Sequence, residues 1–318
     1  MRVGHNPARF VEKVLQPAEI TVAVVNCIPF LSGYYEQCLD VLKTCIGSLH
    51  ANTPEPHDLM VFDNHSCREV RQYLQEAYEQ GMIQYLILSE KNIGKIGAWN
   101  FMFGAAQGKY VVFSDGDIGF RPGWLPASLA LFEAFPQVGM VTARPLRTPM
   151  QYSAATQEWA SRQGPGVYTE GQFLDWETYW EHARSTGYTE EKAHAEFPQG
   201  RDHRLVFGGK TAFIGATHFQ FMAPTEVLKQ IIPLPSEQPM RGERALDVAV
   251  NEMGYLRLTT DQALVWHIGN RLAEPTGVVP LAPRRKTLLQ RILWLPGIRH
   301  ALLWLNNRIF RLYFFNVE

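Results

Sequence analysis

The chain of 318 residues lacks an excess of charge of either sign, with 30 Lys plus Arg against 31 Asp plus Glu and a formal net charge of -1. That balance supplies no general attraction to nucleic acid, so no nucleic-acid partner is expected. Cysteine is scarce: Cys27, Cys38, Cys45 and Cys67 are all there are, and none is spaced as Cys-x-x-Cys. The disulfide framework of a small secreted domain is thereby excluded, and reduced thiols in a cytosolic compartment are expected. His65-x-Cys67 has no second pair nearby and reads as incidental. No uncharged apolar run reaches membrane-spanning length, and Glu12, Pro17 and Glu19 interrupt the N-terminal stretch where a signal peptide needs continuous apolar residues. The expectation is a chain neither exported nor threaded through a bilayer. Repeats and low-complexity tracts are missing as well. The loop after the first apolar run, Asn26 to Gly33, has neither Gly-x-Gly-x-x-Gly nor Gly-Lys-Ser/Thr, which argues against a dehydrogenase and an NTPase.

What is present is an ordinary globular composition, 46% hydrophobic and 19% charged, long enough for one large domain or two small ones. Ile20 to Val25 is a β-branched run that predicts the first strand. Leu39, Leu42, Ile46 and Leu49 recur at helical spacing, predicting a helix over Tyr34 to His50 that stops at Asn52-Thr-Pro-Glu-Pro56. Leu59 to Phe62 is a second strand, and Ser66 with Glu69 forms a capping box for a helix reaching Gly81. Met82 to Leu88 is a third strand, and a glycine-rich helix entrance at Asn92 to Gly97 leads on to Gly108. The alternation of strand and helix predicts a mostly parallel central sheet flanked by helices, the α/β class. Further on, Trp124 to Phe135 reads as a helix, Val138 to Thr142 as a strand, and 242–254 as a helix with an apolar stripe of Leu246, Ala249, Val250 and Met253.

The apolar run Tyr110 to Phe113 ends abruptly in Asp115-Gly116-Asp117. Two carboxylates at the carboxyl end of a strand stand where ligands gather in open α/β sheets, and they suit a divalent cation; an acidic turn is the plain alternative. An EF-hand fails, because its sixth position would be Phe120 and its twelfth Pro126. Asp63 also ends a strand, where it either helps a turn or meets the edge of a nucleobase. Backbone N–H groups near Gly94, with Lys95 beside them, could face a phosphate, or the glycines serve tight packing. Glu243 and Asp247 share a helix face, as a solvated acidic surface or as the source of a general base. Helix-spaced aromatics at Trp159, Trp176, Tyr179 and Trp180 serve either as core or as a sugar platform.

Four blocks in order carry a resemblance: Val61-Phe-Asp-Asn-His-Ser66, Asn92-Ile-Gly94 with Ala98-Trp-Asn100, Ser114-Asp-Gly-Asp117, and Gly254-Tyr-Leu-Arg with Trp266-His-Ile-Gly-Asn270. Together they resemble the family 2 glycosyltransferases and relatives of the GT-A fold, over roughly Ile20 to Asn270. The resemblance implies a metal-dependent transferase that moves a sugar from a nucleotide-diphosphate sugar, UDP-sugar favoured, to an acceptor hydroxyl, with inversion. The acceptor would be a glycan, a lipid-linked saccharide or a small molecule. Asp63 would recognise the base, and Asn92, Gly94, Lys95, Ala98 and Asn100 would line the ribose and diphosphate beside Gly116. Asp115, Asp117 and the late His267 would hold Mn²⁺ or Mg²⁺, and Asp247, ahead of Glu243, would serve as the base. One departure is Asn26-Cys-Ile-Pro after strand one, where the family has a Pro-x-Tyr-Asn type of sequence. The rivals are a catalytically silent nucleotide-sugar binding protein and a sugar-1-phosphate nucleotidyltransferase.

The expected organisation is a catalytic domain over 1–272, with an acceptor-side insertion or lid at about 150–210, and a basic amphipathic helical extension over 273–318. From Leu281 onward there are seven Lys or Arg and one acid, Glu318. Such a tail either lies on a membrane surface, making the protein peripheral at the inner face, or packs as a helical pair or homodimer contact.

Overall fold

A computed structural model describes residues 5–237 and 242–272, together with the isolated positions 298, 301, 304, 305 and 308. The chain divides into two compact units, Met1–Leu272 and Ala273–Glu318. The expected basic helical extension, with its membrane or dimer contact, falls almost wholly outside the described residues. Among the described residues no helix is long and apolar enough to cross a membrane.

The first unit runs β1 (Ile20–Asn26), α1 (Cys38–Ala51), β2 (Asp58–Asn64), α2 (Arg68–Glu79), β3 (Tyr85–Ser89), α3 (Gly94–Ala105), β4 (Tyr110–Asp115), β5 (Ile118–Phe120), α4 (Trp124–Ala134) and β6 (Val138–Thr142). It continues through α5 (Ala154–Ser161), β7 (Tyr168–Gly171), α6 (Trp176–Ser185), α7 (Glu190–Glu196), β8 (Asp202–Phe207), β9 (Lys210–Ile214), β10 (Gln220–Pro224), α8 (Thr225–Ile231), α9 (Arg244–Glu252), β11 (Leu256–Thr260) and β12 (Val265–His267). Ten of these strands form one sheet in the order β3-β2-β1-β4-β10-β6-β11-β9-β8-β7.

The expected α/β architecture is observed, with one adjustment to its parallel character. Strands β3, β2, β1 and β4 are mutually parallel, as the repeated strand-helix alternation requires. Strand β10 then enters antiparallel between β4 and β6, and β9, β8 and β7 add an antiparallel meander, so the sheet as a whole is mixed. Every residue of β1 is buried, which explains its unbroken β-branched sequence rather than an alternating one. On one face α1 contributes Leu42, Ile46 and Leu49, none with exposed surface; burial of each such side chain is worth about 1.5–3 kcal/mol. On the other face α3, α8 and α9 cover the same strands through Trp99, Phe103, Leu228, Leu246 and Val250.

Two local expectations change. Helix α2 is capped at Cys67, while the Ser66 hydroxyl accepts from Asn26 Nδ2 at 3.0 Å and Ile28 N at 2.9 Å. The Ser66–Glu69 capping box is therefore not formed; Ser66 ties the loop after β1 to the end of β2 instead. On α9 the buried face is Leu246, Asp247 and Val250, and Met253 lies exposed.

A second, two-stranded sheet pairs β5 with β12, setting His267 opposite Ile118 and Trp266 opposite Gly119. A Cβ on Gly119 would lie 2.2 Å from Cζ2 of Trp266, so this pairing requires glycine. Gly119→Ala should cost about 1–3 kcal/mol by overpacking. Gly47→Ala, on the exposed side of α1 with nothing within 4 Å, should stabilise instead. Calorimetric melting of both variants checks the contrast; equal melting temperatures would show that β12 does not press on β5.

Candidate active site

The sheet's connections reverse direction between β1 and β4, the position where open α/β sheets hold ligands at their carboxyl ends. The Asp115–Asp117 turn closes that crevice. Asp115 N donates to Phe219 O at 2.8 Å and Gly116 N to Val25 O at 3.0 Å, which fixes the turn against both neighbouring strands. A Cβ at Gly116 would stand 3.1 Å from Leu42 Cδ1 and 3.2 Å from Val25 O, so this glycine lets the turn pack closely on α1 and β1.

His267 reaches the turn through the β5–β12 ladder, extended by Ile268 N donating to Asp117 O at 2.8 Å. Its Nε2 lies 3.2 Å from Asp117 Oδ2. Burial alone would push the imidazole pKa down, but the hydrogen bond and charge of Asp117, with Asp115 behind it, raise it. Asp117 Oδ1 and His267 Nδ1 are buried without hydrogen-bond partners. A carboxylate oxygen left uncompensated beside an imidazole is a donor set that fits a divalent cation.

Asp115 does not complete that set. Its Oδ2 accepts from Lys95 Nζ at 2.7 Å, and the same ammonium donates to His218 O at 3.1 Å and lies over the Trp99 and Phe113 rings. Burial pushes the Asp115 carboxyl up to about 6, with Lys95 opposing the rise and Asp117 adding to it. Among the described residues no three His, Cys, Asp or Glu side chains form a ligand cluster. Of the three expected ligands, Asp117 and His267 stand together, while Asp115 pairs with Lys95. Lys95, expected at a phosphate, is spent on that carboxylate.

Other expected contacts are also redistributed. Asp63 has no exposed surface; its oxygens accept from Asn26 Nδ2 at 2.8 Å and Ser66 N at 3.1 Å, and Arg71 Nε stands 3.3 Å away. As described it ties β1, β2 and α2 together and is out of reach of a nucleobase. Asn92 Oδ1 accepts from Gly94 N at 2.9 Å, and Asn64 Oδ1 from Ile93 N at 2.9 Å, so side chains already cap the N–H groups expected to face phosphate. Ala98 is buried within the core beside Trp99. Asn100 clamps the Leu234 backbone with two 2.8 Å bonds, one given and one accepted. Neither residue lines the crevice.

The two candidate bases part company. Asp247 has no exposed surface; Oδ1 accepts from Arg257, and Oδ2 lies 3.2 Å from Arg244 Nη1 and 2.7 Å from His218 Nε2. Burial pushes the Arg257 guanidinium below its ordinary value while Asp247 supports its charge. Arg257 also donates to the carbonyls of Tyr152 at 2.7 Å and Ala216 at 2.9 Å. The preference for Asp247 as base is therefore corrected: no oxygen is accessible to an acceptor hydroxyl, and the alternative of a solvated face fails equally. Glu243 is half-buried at the start of α9, and no ion pair engages its carboxylate among the described residues. Neighbouring Gly242 packs on Ile96, one residue beyond Lys95 on α3.

Sequence reasoning passed over His218 and His182. His218 is the residue before Phe219, whose carbonyl anchors Asp115; a lone histidine two places ahead of an apolar strand was the available signal. His182 on α6 sits with its ring 5.4 Å from Phe219 and 6.5 Å from His267. Burial, then Arg144 and His267, lowers its pKa to about 4. The aromatics of 150–210 are largely occupied with one another: Trp176 stacks on His194 at 3.9 Å and meets Trp180 and Phe197. Glu181 bridges Arg121 and Arg144, at 2.5 Å from each, locking α6 to the end of β6.

Asp247→Asn should lower stability by about 3–5 kcal/mol, because a buried guanidinium loses its counter-charge. Glu243→Gln should leave stability within about 0.5 kcal/mol. Urea unfolding of both decides the matter; equal, small losses would return Asp247 to the list of candidate bases.

Residues 32–195 match the sequence profile described as "Glycosyl transferase family 2", just over half of the chain. No curated protein matches. Among solved structures, GalNAc-T7 with UDP, GalNAc and Mn²⁺ is similar at a TM-score of 0.49 and 12% identity, covering 86% of this chain and 47% of that one. TarS 1-349 of S. aureus in complex with UDP gives 0.44 and 14%, covering 78% and 59%. The mannosyltransferase PcManGT from Pyrobaculum calidifontis, in complex with GDP-Man and Mn²⁺, gives 0.42 and 15%, covering 79% and 59%. The chain thus spans less than two thirds of the length of each of these. With the profile spanning α1 to α7 and taking in the Asp115–Asp117 turn, the chain belongs to glycosyl transferase family 2.

Proposed function

We propose that this chain transfers a sugar from a nucleotide-diphosphate sugar to an acceptor hydroxyl, with a divalent cation at Asp117 and His267 and with Glu243 as general base. The observation that carries the reading is the pairing of Asp117 with His267, which leaves a buried carboxylate oxygen unpartnered at the switch point of the sheet. A bound Mn²⁺ or Mg²⁺ would neutralise charge on the departing nucleoside diphosphate. An imidazole nitrogen beside carboxylate oxygen favours Mn²⁺ over Mg²⁺.

The chain's own residues supply the remainder. Lys95 and Asp115 keep the crevice floor charge-balanced, and Gly116 holds the turn against β1. Glu243, with its carboxylate unengaged, accepts the proton of the attacking hydroxyl. Direct attack with one base inverts the anomeric centre. A UDP-sugar is the first donor to try, from the family resemblance, although Asp63 is withdrawn as the base contact.

Release of nucleoside diphosphate from a panel of nucleotide sugars, with and without Mn²⁺, tests the activity. Glu243→Gln should reduce turnover by roughly 10²–10⁴-fold, the usual worth of a general base, with nucleoside diphosphate affinity unchanged. Turnover at the wild-type rate would remove Glu243 from the mechanism. His267→Ala should abolish the gain in nucleoside diphosphate affinity that Mn²⁺ brings, measured by titration calorimetry. A gain that persists in the variant would show that His267 is not a ligand.

A further inference from the structure

We infer that His218, held by the buried Asp247, recognises a hydroxyl of the sugar being transferred. The inference rests on the donor reading above and concerns a residue that reading does not use. Three observations carry it.

The first is placement. Strand β10 runs antiparallel beside β4, with Gln220 opposite Ser114, so the residues just before β10 flank the carboxyl end of β4. Phe219 O accepts from Asp115 N, and His218 O accepts from Lys95 Nζ at 3.1 Å. His218 thus stands beside the Lys95–Asp115 pair at the end of β4, where the donor reading above puts the diphosphate.

The second is orientation. His218 Nε2 is buried and lies 2.7 Å from Asp247 Oδ2, at ion-pair distance but without hydrogen-bond geometry, so the ring stands with its Nε2 edge against the carboxylate that Arg257 and Arg244 also hold. Nδ1 is then the ring nitrogen left to bond a sugar hydroxyl. The third is access: the side chain keeps 19% of its surface exposed while its Nε2 edge faces a carboxylate with none. No hydrogen bond engages Nδ1 among the described residues. Asp247 is then a positioning residue, and the ionic cluster around it fixes the ring.

The test compares UDP with the UDP-sugar that binds best to the wild-type chain, by titration calorimetry in Mn²⁺. His218→Gln retains a donor at the Nε2 position for Asp247 and has nothing at the Nδ1 position. It should melt near wild type and bind UDP within about 2-fold, while UDP-sugar affinity falls roughly tenfold, the worth of one hydrogen bond. His218→Asn, which places its amide near the Nδ1 position, should recover part of that loss even if it melts lower. An unchanged ratio of UDP-sugar to UDP affinity in His218→Gln overturns the inference and leaves the donor reading standing. If His218→Gln weakens both ligands equally, the role is structural and the inference is overturned again. Failure of every nucleotide sugar to bind the wild-type chain overturns the donor reading and this inference with it.

Discussion

A carboxylate taken wholly out of water has to be compensated, and the Asp247 cluster shows how much structure that requirement organises. Removing a charge from solvent costs several kcal/mol unless charged partners and hydrogen bonds replace the water. Asp247 draws Arg257 from β11, Arg244 from its own helix and His218 from the loop before β10. Arg257 in turn collects carbonyls from the segments near 152 and 216. Elements far apart in sequence are thus registered at one point beneath the crevice, which explains how an antiparallel strand inserted into a parallel sheet is held in place there.

The opposite wall is organised by backbone pairing. β12 is only three residues long, yet its ladder with β5 and the Ile268–Asp117 bond carry His267 to the turn. Arg144, buried and held by Glu181, also donates to Val265 O at 3.1 Å, so α6 reinforces the same strand. Helix α6 therefore contributes to the site by bracing β12.

Strands β1, β2, β4 and β6 were legible in the sequence because a strand buried on both faces must be continuously apolar, whereas β5 and β7 to β11 carry no such run and were not expected. The Asp115–Asp117 turn was legible because one of these runs stopped on two carboxylates. Partners were not. Lys95, Asp63, Asn100 and Asp247 all have chemistry suited to a ligand, and each is satisfied by a group up to 134 positions away along the chain, as with Asn100 and Leu234. Helical spacing put Asp247 beside Glu243 but could not say that β11 would bring Arg257 beneath it. His218 escaped notice for the converse reason, since a single histidine in a loop shows nothing until its carboxylate is visible.

The Lys95–Asp115 pair gives the site a cation of its own. Because one acid is neutralised by a covalently attached ammonium, the charge left for an exchangeable ion is only that of Asp117 beside an imidazole. If a divalent ion is held there as proposed, so few fixed negative charges would hold it loosely, and oxygens of the donor's diphosphate would have to supply much of its binding.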